Sequence, residues 1–291
     1  MPVPSFDSFA VSTKTFIVYT NLNLNIEKIF TQDIIPITEY KIVKKKRGRK
    51  KKQAEDDPNK DIPSGSIICI EYKNQFRGVK KTKSTKNKDT DFFRNSMPIT
   101  MKIDDKFIAI KVSEKGKFQM TGCKSKDHAE ACILSFWEKI KHNPFVYQLM
   151  ETPYLTAYYE SVMHNIDFSI GFTIDREALD IFINSNTRHT SFLETTSGYT
   201  GINIKFPTNE TKVKKSKIEY HEYKSDGTRK TQIITHEDLS EKVTIKKKKR
   251  YNTFLVFQSG SIIMSGKTPS TMEDAYYEFF DILKRCFPQN F

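Results

Sequence analysis

Two stretches of the chain share one design. Residues 111–124 read KVSEKGKFQMTGCK and residues 257–267 read FQSGSIIMSGK. Each leaves an apolar strand, breaks at a glycine, and resumes as a strand that ends on a small hydroxyl residue and a glycine. Those endings are Thr121-Gly122 and Ser265-Gly266. A strand–turn–strand pattern of this kind specifies a β-hairpin. A hairpin written twice, each copy followed by a helix-period run, constrains the chain to fold as two copies of one unit.

The flanking segments support this. In the first half, 15–25 is a strand and IEKIFTQDI is a short helix with Ile26, Ile29 and Phe30 on one face. Strands follow at 65–73, 97–103, 107–112 and 117–122. Ser125 then caps a helix whose stripe is Ala129, Cys132, Ile133, Phe136, Trp137 and Ile140. The second half repeats the order. It has a strand at 158–172, a helix at 175–184 capped by Asp175, and strands at 198–206, 242–247, 253–257 and 261–266. A last helix opens on a Ser270/Glu273 capping box and buries Met272, Ala275, Tyr276, Phe279, Leu283 and Cys286. Residues 99–112 lie over 243–257 with a one-residue gap, and TNLNL (20–24) lies over HNIDF (164–168). The expected division is a tail at 1–14, a first repeat at 15–145 with insertions near 41–60 and 74–95, and a second repeat at 146–291 with an insertion near 207–238.

The net charge is +13, and much of it comes in runs. That favours a polyanionic partner, nucleic acid before an anionic membrane. No apolar stretch approaches the ~20 residues of a membrane-spanning helix, and the first residues lack the order of a signal peptide. The four cysteines are scattered without a CxxC pair, which fits reduced thiols in an intracellular protein. The histidines have no ligand spacing with them, so no metal and no cofactor is expected. No nucleophile–base pair is visible. His164 and Asp167 sit three apart on a strand and face opposite sides, so no catalysis is expected.

The order strand, helix, four strands, helix, twice over, with KFQMTGCKS and FLVFQSGSIIMSGK as its most telling stretches, resembles the TATA-binding protein family. The similarity spans about 15–143 and 155–287. The basic insertions resemble the divergent TATA-binding-like proteins of giant DNA viruses. The resemblance implies an α+β saddle, in which two pseudo-symmetric repeats form one curved antiparallel sheet with helices on its convex side. It also implies that the open face lies in the minor groove of A·T-rich DNA, and that a IIB-like factor and RNA polymerase are recruited. Location would be the nucleus or, for a viral protein, the cytoplasmic viral factory or virion. A monomer would act on DNA.

Strand parity combined with the resemblance gives a groove face of Gln119, Thr121, Ile263, Ser265, Ile110 and Leu255, with Asn21 and Asn165 in place of the family's central asparagines. Taken alone, such a threonine is a strand former and such an asparagine a turn former. The family kinks DNA with apolar wedges. Phe257 matches one wedge, and Phe92 or Phe93, Val112 and Leu239 are the nearest residues for the other three. Lys102, Lys106, Lys124, Lys246 and Arg250 are candidates for phosphate contacts. The segment KKKRGRKKK, with Arg47 and Arg49 around a glycine, reads equally as a minor-groove hook, a nuclear-localisation signal or a plain phosphate binder. The insertions at 74–95 and 207–238 sit where the family's stirrup loops lie. Two functions are consistent with these features: a promoter-binding initiation factor that bends A·T-rich DNA, and a structural or packaging protein that coats DNA without sequence preference.

Overall fold

The computed structural model describes residues 3–42, 58–80, 95–193, 201–243 and 249–291. It is an α+β protein. The chain divides into two compact units, one of residues 1–15, 160–219 and 233–291, the other of residues 16–159 and 220–232. The main division falls between Tyr159 and Glu160 rather than at 145/146, and residues 220–232 join the unit built from the first half.

The unit of residues 16–159 and 220–232 is an antiparallel sheet covered by helices. Its strands are residues 16–20 of β1 (Val11–Thr20), β3 (Ile67–Tyr72), β4 (Gln75–Gly78), β5 (Ser96–Ile103), β6 (Lys106–Ser113) and β7 (Lys117–Cys123). They lie in the order β1, β7, β6, β5, β3, β4. A small two-stranded sheet, β2 (Leu22–Leu24) with β8 (Tyr147–Leu149), stands beside it. The hydrophobic pattern alternates as a half-buried strand requires. Met97, Ile99 and Met101 of β5, Ile108, Ile110 and Val112 of β6, and Phe118 and Met120 of β7 all point inward. They pack under α1 (Ile26–Thr31) and α2 (Lys126–Ile140), whose Ala129, Cys132, Ile133, Phe136 and Ile140 supply the opposing stripe. Ser125 occupies the N-cap position of α2, although its side chain makes no cap hydrogen bond.

The other unit repeats the plan. Its strands are residues 160–169 of β9 (Leu155–Ser169), β10 (Thr190–Leu193), β11 (Gly201–Pro207), β14 (Tyr251–Phe257) and β15 (Ser261–Gly266), in the order β10, β11, β14, β15, β9. Ile202, Ile204, Phe206, Phe254, Val256, Ile262 and Met264 point inward. They meet α3 (Arg176–Asn186) and α6 (Pro269–Cys286), with Phe254 stacked on Phe279 at 4.3 Å. Asp175 caps α3 as expected. The cap of α6 is Thr268, paired with Thr271, two residues earlier than the expected Ser270/Glu273 box.

The third strand of this unit differs from the expectation. β11, residues 201–207, pairs directly with β14, from Gly201 opposite Phe257 to Pro207 opposite Tyr251. It is therefore the third strand. The second is the four-residue β10, which lies opposite β11. The stretch expected as the third strand, 242–247, begins at the end of a helix, and its residues 244–247 lie outside the described residues. The long insertion thus sits between the third and fourth strands, not at the stirrup position. It folds into α4 (Glu210–Lys214), β12 (Lys217–Tyr223), β13 (Arg229–Thr235) and α5 (His236–Lys242).

The two hairpins that open the sequence correspond residue by residue. Gly116 and Gly260 form their turns at φ of 61° and 79°, where a side chain would be strained. A Cβ at either glycine would also strike a backbone carbonyl, of Leu22 and Phe172 respectively. Each glycine accepts the same backbone bond, Thr20 N–H to Gly116 O and Ile170 N–H to Gly260 O, both at 3.0 Å. Thr20 therefore corresponds to Ile170, and Asn21 to Gly171. The expected overlay of 20–24 on 164–168 is off by six residues. The hairpin registers likewise align Ser113 with Phe257 and Lys111 with Leu255, without the gap.

Candidate nucleic-acid interface

Each unit has a sheet face opposite its helices, and cross-strand register sorts that face into rows. In the unit of residues 16–159 and 220–232, Thr121 pairs Ala109, Ala109 pairs Thr100, and Thr100 pairs Cys69. The adjacent row is Gln119, Lys111 and Pro98. Thr121, Ala109 and Gln119 are exposed, while Lys111, Thr100 and Pro98 are half-buried. In the other unit one row runs Phe192, Asn203, Leu255, Ile263, Asp167, and the next runs Thr190, Lys205, Thr253, Ser265, Asn165. Phe192 is 63% exposed. Small hydroxyls, amide groups and aliphatic side chains therefore alternate with lysine across a pleated surface.

Of the expected groove residues, Gln119, Thr121, Ile263, Ser265 and Leu255 stand on these faces, and Phe257 is half-buried on the same face as Leu255. Ile110 does not. It is 2% exposed and pairs with Met120 inside the core, and its neighbour Lys111 takes the place opposite Gln119. The one-residue gap in the overlay caused that error. Val112 is likewise fully buried beneath the sheet and is no wedge. Leu239 is buried within α5, far in sequence from the true third strand, and is no wedge either. Phe92, Phe93, Lys246, Arg47 and Arg49 lie outside the described residues.

Asn21 is a structural residue. Its Nδ2 donates to Met150 O, Thr152 Oγ1 and Tyr154 O, and its Oδ1 accepts from Thr156 N–H, so its amide is spent on the local chain. Asn165 lies in the row with Ser265, but its Nδ2 donates to Thr13 Oγ1 at 3.1 Å.

Several expected phosphate-binding cations are also committed elsewhere. Lys102 is 7% exposed, and its Nζ donates to the carbonyls of Asn59 and Lys60 at 3.0 and 2.9 Å. There the segment before β3 crosses the open side of the sheet, with Tyr40 edge-on to Phe107 at 5.3 Å. Asn59 holds Lys41 by both backbone groups, accepting its N–H at 2.8 Å and donating to its carbonyl at 2.9 Å. Arg250 donates to His236 Nε2 and reaches Glu210 at 3.8 Å. Lys124 pairs with Asp105 at 3.1 Å, and that bond holds the exposed Asp105 carboxyl below its usual range. Lys106 is half-buried at the start of β6.

Lys111, Thr100 and Ala109, and in the other unit Phe192, Asn203, Lys205 and Thr253, are face residues that sequence reasoning missed. The alternation of GINIKF carried the signal for Asn203 and Lys205. It was assigned to the wrong strand because TSFL is too short to register as a strand of its own.

No family model matches the chain. It is 30% identical over 213 residues to Uncharacterized protein 335L of Invertebrate iridescent virus 6, a match covering 68% of this chain. The matched stretch spans 62% of that viral protein's length. Among solved structures, Methanococcus jannaschii TBP aligns over 97% of this chain and 99% of its own, with a TM-score of 0.47 and 11% identity.

Proposed function

We propose that the chain binds double-stranded DNA through the helix-free sheet face of each unit. The observation that carries this reading is the pair of register rows Thr121–Ala109–Thr100 and Lys205–Thr253–Ser265. They place small hydroxyl side chains in line across neighbouring strands, where a minor groove offering only acceptors at A·T pairs would accept their hydrogen bonds. The net charge of +13 supplies the attraction to phosphate. In this reading the protein is an initiation factor of the TATA-binding type. It bends A·T-rich promoter DNA and recruits a IIB-like factor and RNA polymerase, acting in the nucleus or a viral factory without catalysis of its own. A mobility shift with A·T-rich and G·C-rich duplexes tests it. The expected outcome is tighter binding to the A·T duplex, lost in Thr121→Glu and Ser265→Glu. Equal affinity for both duplexes would sink the promoter reading.

One observation favours a second reading, a DNA-coating protein without sequence preference. Two of the positions expected to wedge between base steps, Val112 and Leu239, are in the core. Fewer wedges mean less kinking and less selection of deformable sequence. Under this reading A·T and G·C duplexes shift alike, and circular-permutation mobility shows no bend.

A further inference from the structure

Lys212 and residues 215–218, from the insertion between β11 and β14, line a cavity of about 540 Å³ within the unit of residues 1–15, 160–219 and 233–291. Its lining includes Glu160, Ser161, His164, Lys212, Lys215 and Lys217, together with Thr268 and Ser270 at the start of α6. This site is separate from the sheet rows described above.

The charges in the cavity are unbalanced. Lys212 is held by Asp274 at 2.5 Å and by the carbonyl of Ser270 at 3.2 Å. Lys215 and Lys217 have no ion pair with any described residue. The one carboxylate of the lining, Glu160, is 2% exposed and already neutralised. Lys267 Nζ donates to its Oε1 at 2.6 Å, and His236 Nδ1 lies 2.8 Å from the same oxygen. Two lysines of the lining, Lys215 and Lys217, therefore have no counterion among the described residues.

His164 adds a second chemical feature. It is 7% exposed. Its Nδ1 donates to the carbonyl of Lys267 at 2.7 Å, so Nε2 carries the lone pair. Burial pushes the imidazole down from its ordinary value, which keeps it neutral. Ser161 Oγ, the contact of Nε2 from this lining, stands 3.5 Å away, at the limit of a hydrogen bond. A nine-tenths buried acceptor thus shares the cavity lining with Lys215 and Lys217.

We infer that this cavity binds a nucleoside phosphate, with phosphate oxygens on Lys215 and Lys217 and a ligand hydroxyl or N–H donating to His164 Nε2. Phosphate alone satisfies the lysines and leaves the imidazole unused. A purely apolar ligand leaves both unused. The cavity volume falls in the range of small-ligand sites. The same chemistry is carried by a free nucleotide and by the terminal nucleotide of a strand.

Titration calorimetry on the full chain tests this with three probes: ATP, inorganic pyrophosphate and a short single-stranded oligonucleotide with a 5′-phosphate. Saturable ATP binding is expected, weakened about tenfold or more in Lys215→Glu/Lys217→Glu, since each lost charge-assisted bond is of that order. Both lysines lie on the insertion, so loss of folding is not expected, and circular dichroism checks that. His164→Phe is expected to bring ATP down to the affinity of pyrophosphate. Competition of ATP by the oligonucleotide assigns the site to strand ends, and absence of competition assigns it to free nucleotide. No saturable binding of ATP at about 1 mM, or equal binding by the double variant, overturns the inference. Duplex mobility shifts of the same variants keep this outcome distinct from the fate of the sheet-face reading.

Discussion

Ile110 and Thr121 stand on opposite faces of the β6–β7 hairpin, and their substitutions should separate accordingly. Ile110→Ala removes buried methyl groups beside Met120 and Ile99 and should cost about 2–5 kcal/mol in thermal or urea unfolding. Thr121→Ala, on the exposed side, should stay within about 0.5 kcal/mol of the parent. Equal losses at both positions would mean that the face assignment is wrong. Lysines divide in the same way. Lys205→Ala should lower the salt slope of DNA binding by about one phosphate's worth, whereas Lys102→Ala should leave the slope alone and lower stability, because its Nζ is bound to Asn59 and Lys60. The alternation of Gln119 and Thr121 against Phe118 and Met120 was legible in the sequence because strand parity is a local property. The fate of Lys102 was not, because its partners are carbonyls some forty residues away.

At the scale of elements, the β12–β13 hairpin is tied to α2 through one carboxylate. Glu130 accepts from Arg229 at 2.7 Å, Tyr223 at 2.9 Å and Lys126 at 3.0 Å, and His221 stands at 3.1 Å. Burial alone would raise this carboxyl, but the bonds from Lys126, Arg229 and Tyr223 and the charge of His221 outweigh it and hold it at about 2. A folded-state value below the unfolded one contributes stability that is complete above the ordinary 4.5 and is lost as pH falls from there toward 2. Hydrogen exchange of residues 220–232 should therefore accelerate across that window. Glu130→Gln should flatten the dependence while costing roughly 1–3 kcal/mol at neutral pH, because Lys126 and the half-exposed Arg229 lose their shared charged partner. Unchanged acid sensitivity in Glu130→Gln would exclude the mechanism. Hairpins, α2 and α6 could be read from periodicity alone, since their signals lie within a few residues. The third strand of the second repeat could not, because KVTIKK and GINIKF both alternate and only pairing with β14 decides between them.

At the scale of the molecule, the chain passes between the two units at 15/16, 159/160, 219/220 and 232/233. No single cut yields a complete unit. A fragment of residues 16–159 would keep Glu130 but lose Tyr223, His221 and Arg229, so it should melt below the intact protein. Glu130→Gln should then cost it less than it costs the whole chain, a coupling that a double-mutant cycle measures. The excess of lysine and arginine was visible from composition. Its distribution was not, since Lys102 and Arg250 are spent on internal bonds while Lys205 stands exposed on an open strand.

The grip of Asn59 on both backbone groups of Lys41 has an engineering consequence. It ties the two flanks of residues 43–57 together, whatever the chain between them contains. That stretch carries eight of the 48 basic residues against three acids. Its charge can be rewritten as a cassette, with loop closure changing by only about 0.6 kcal/mol per doubling of length.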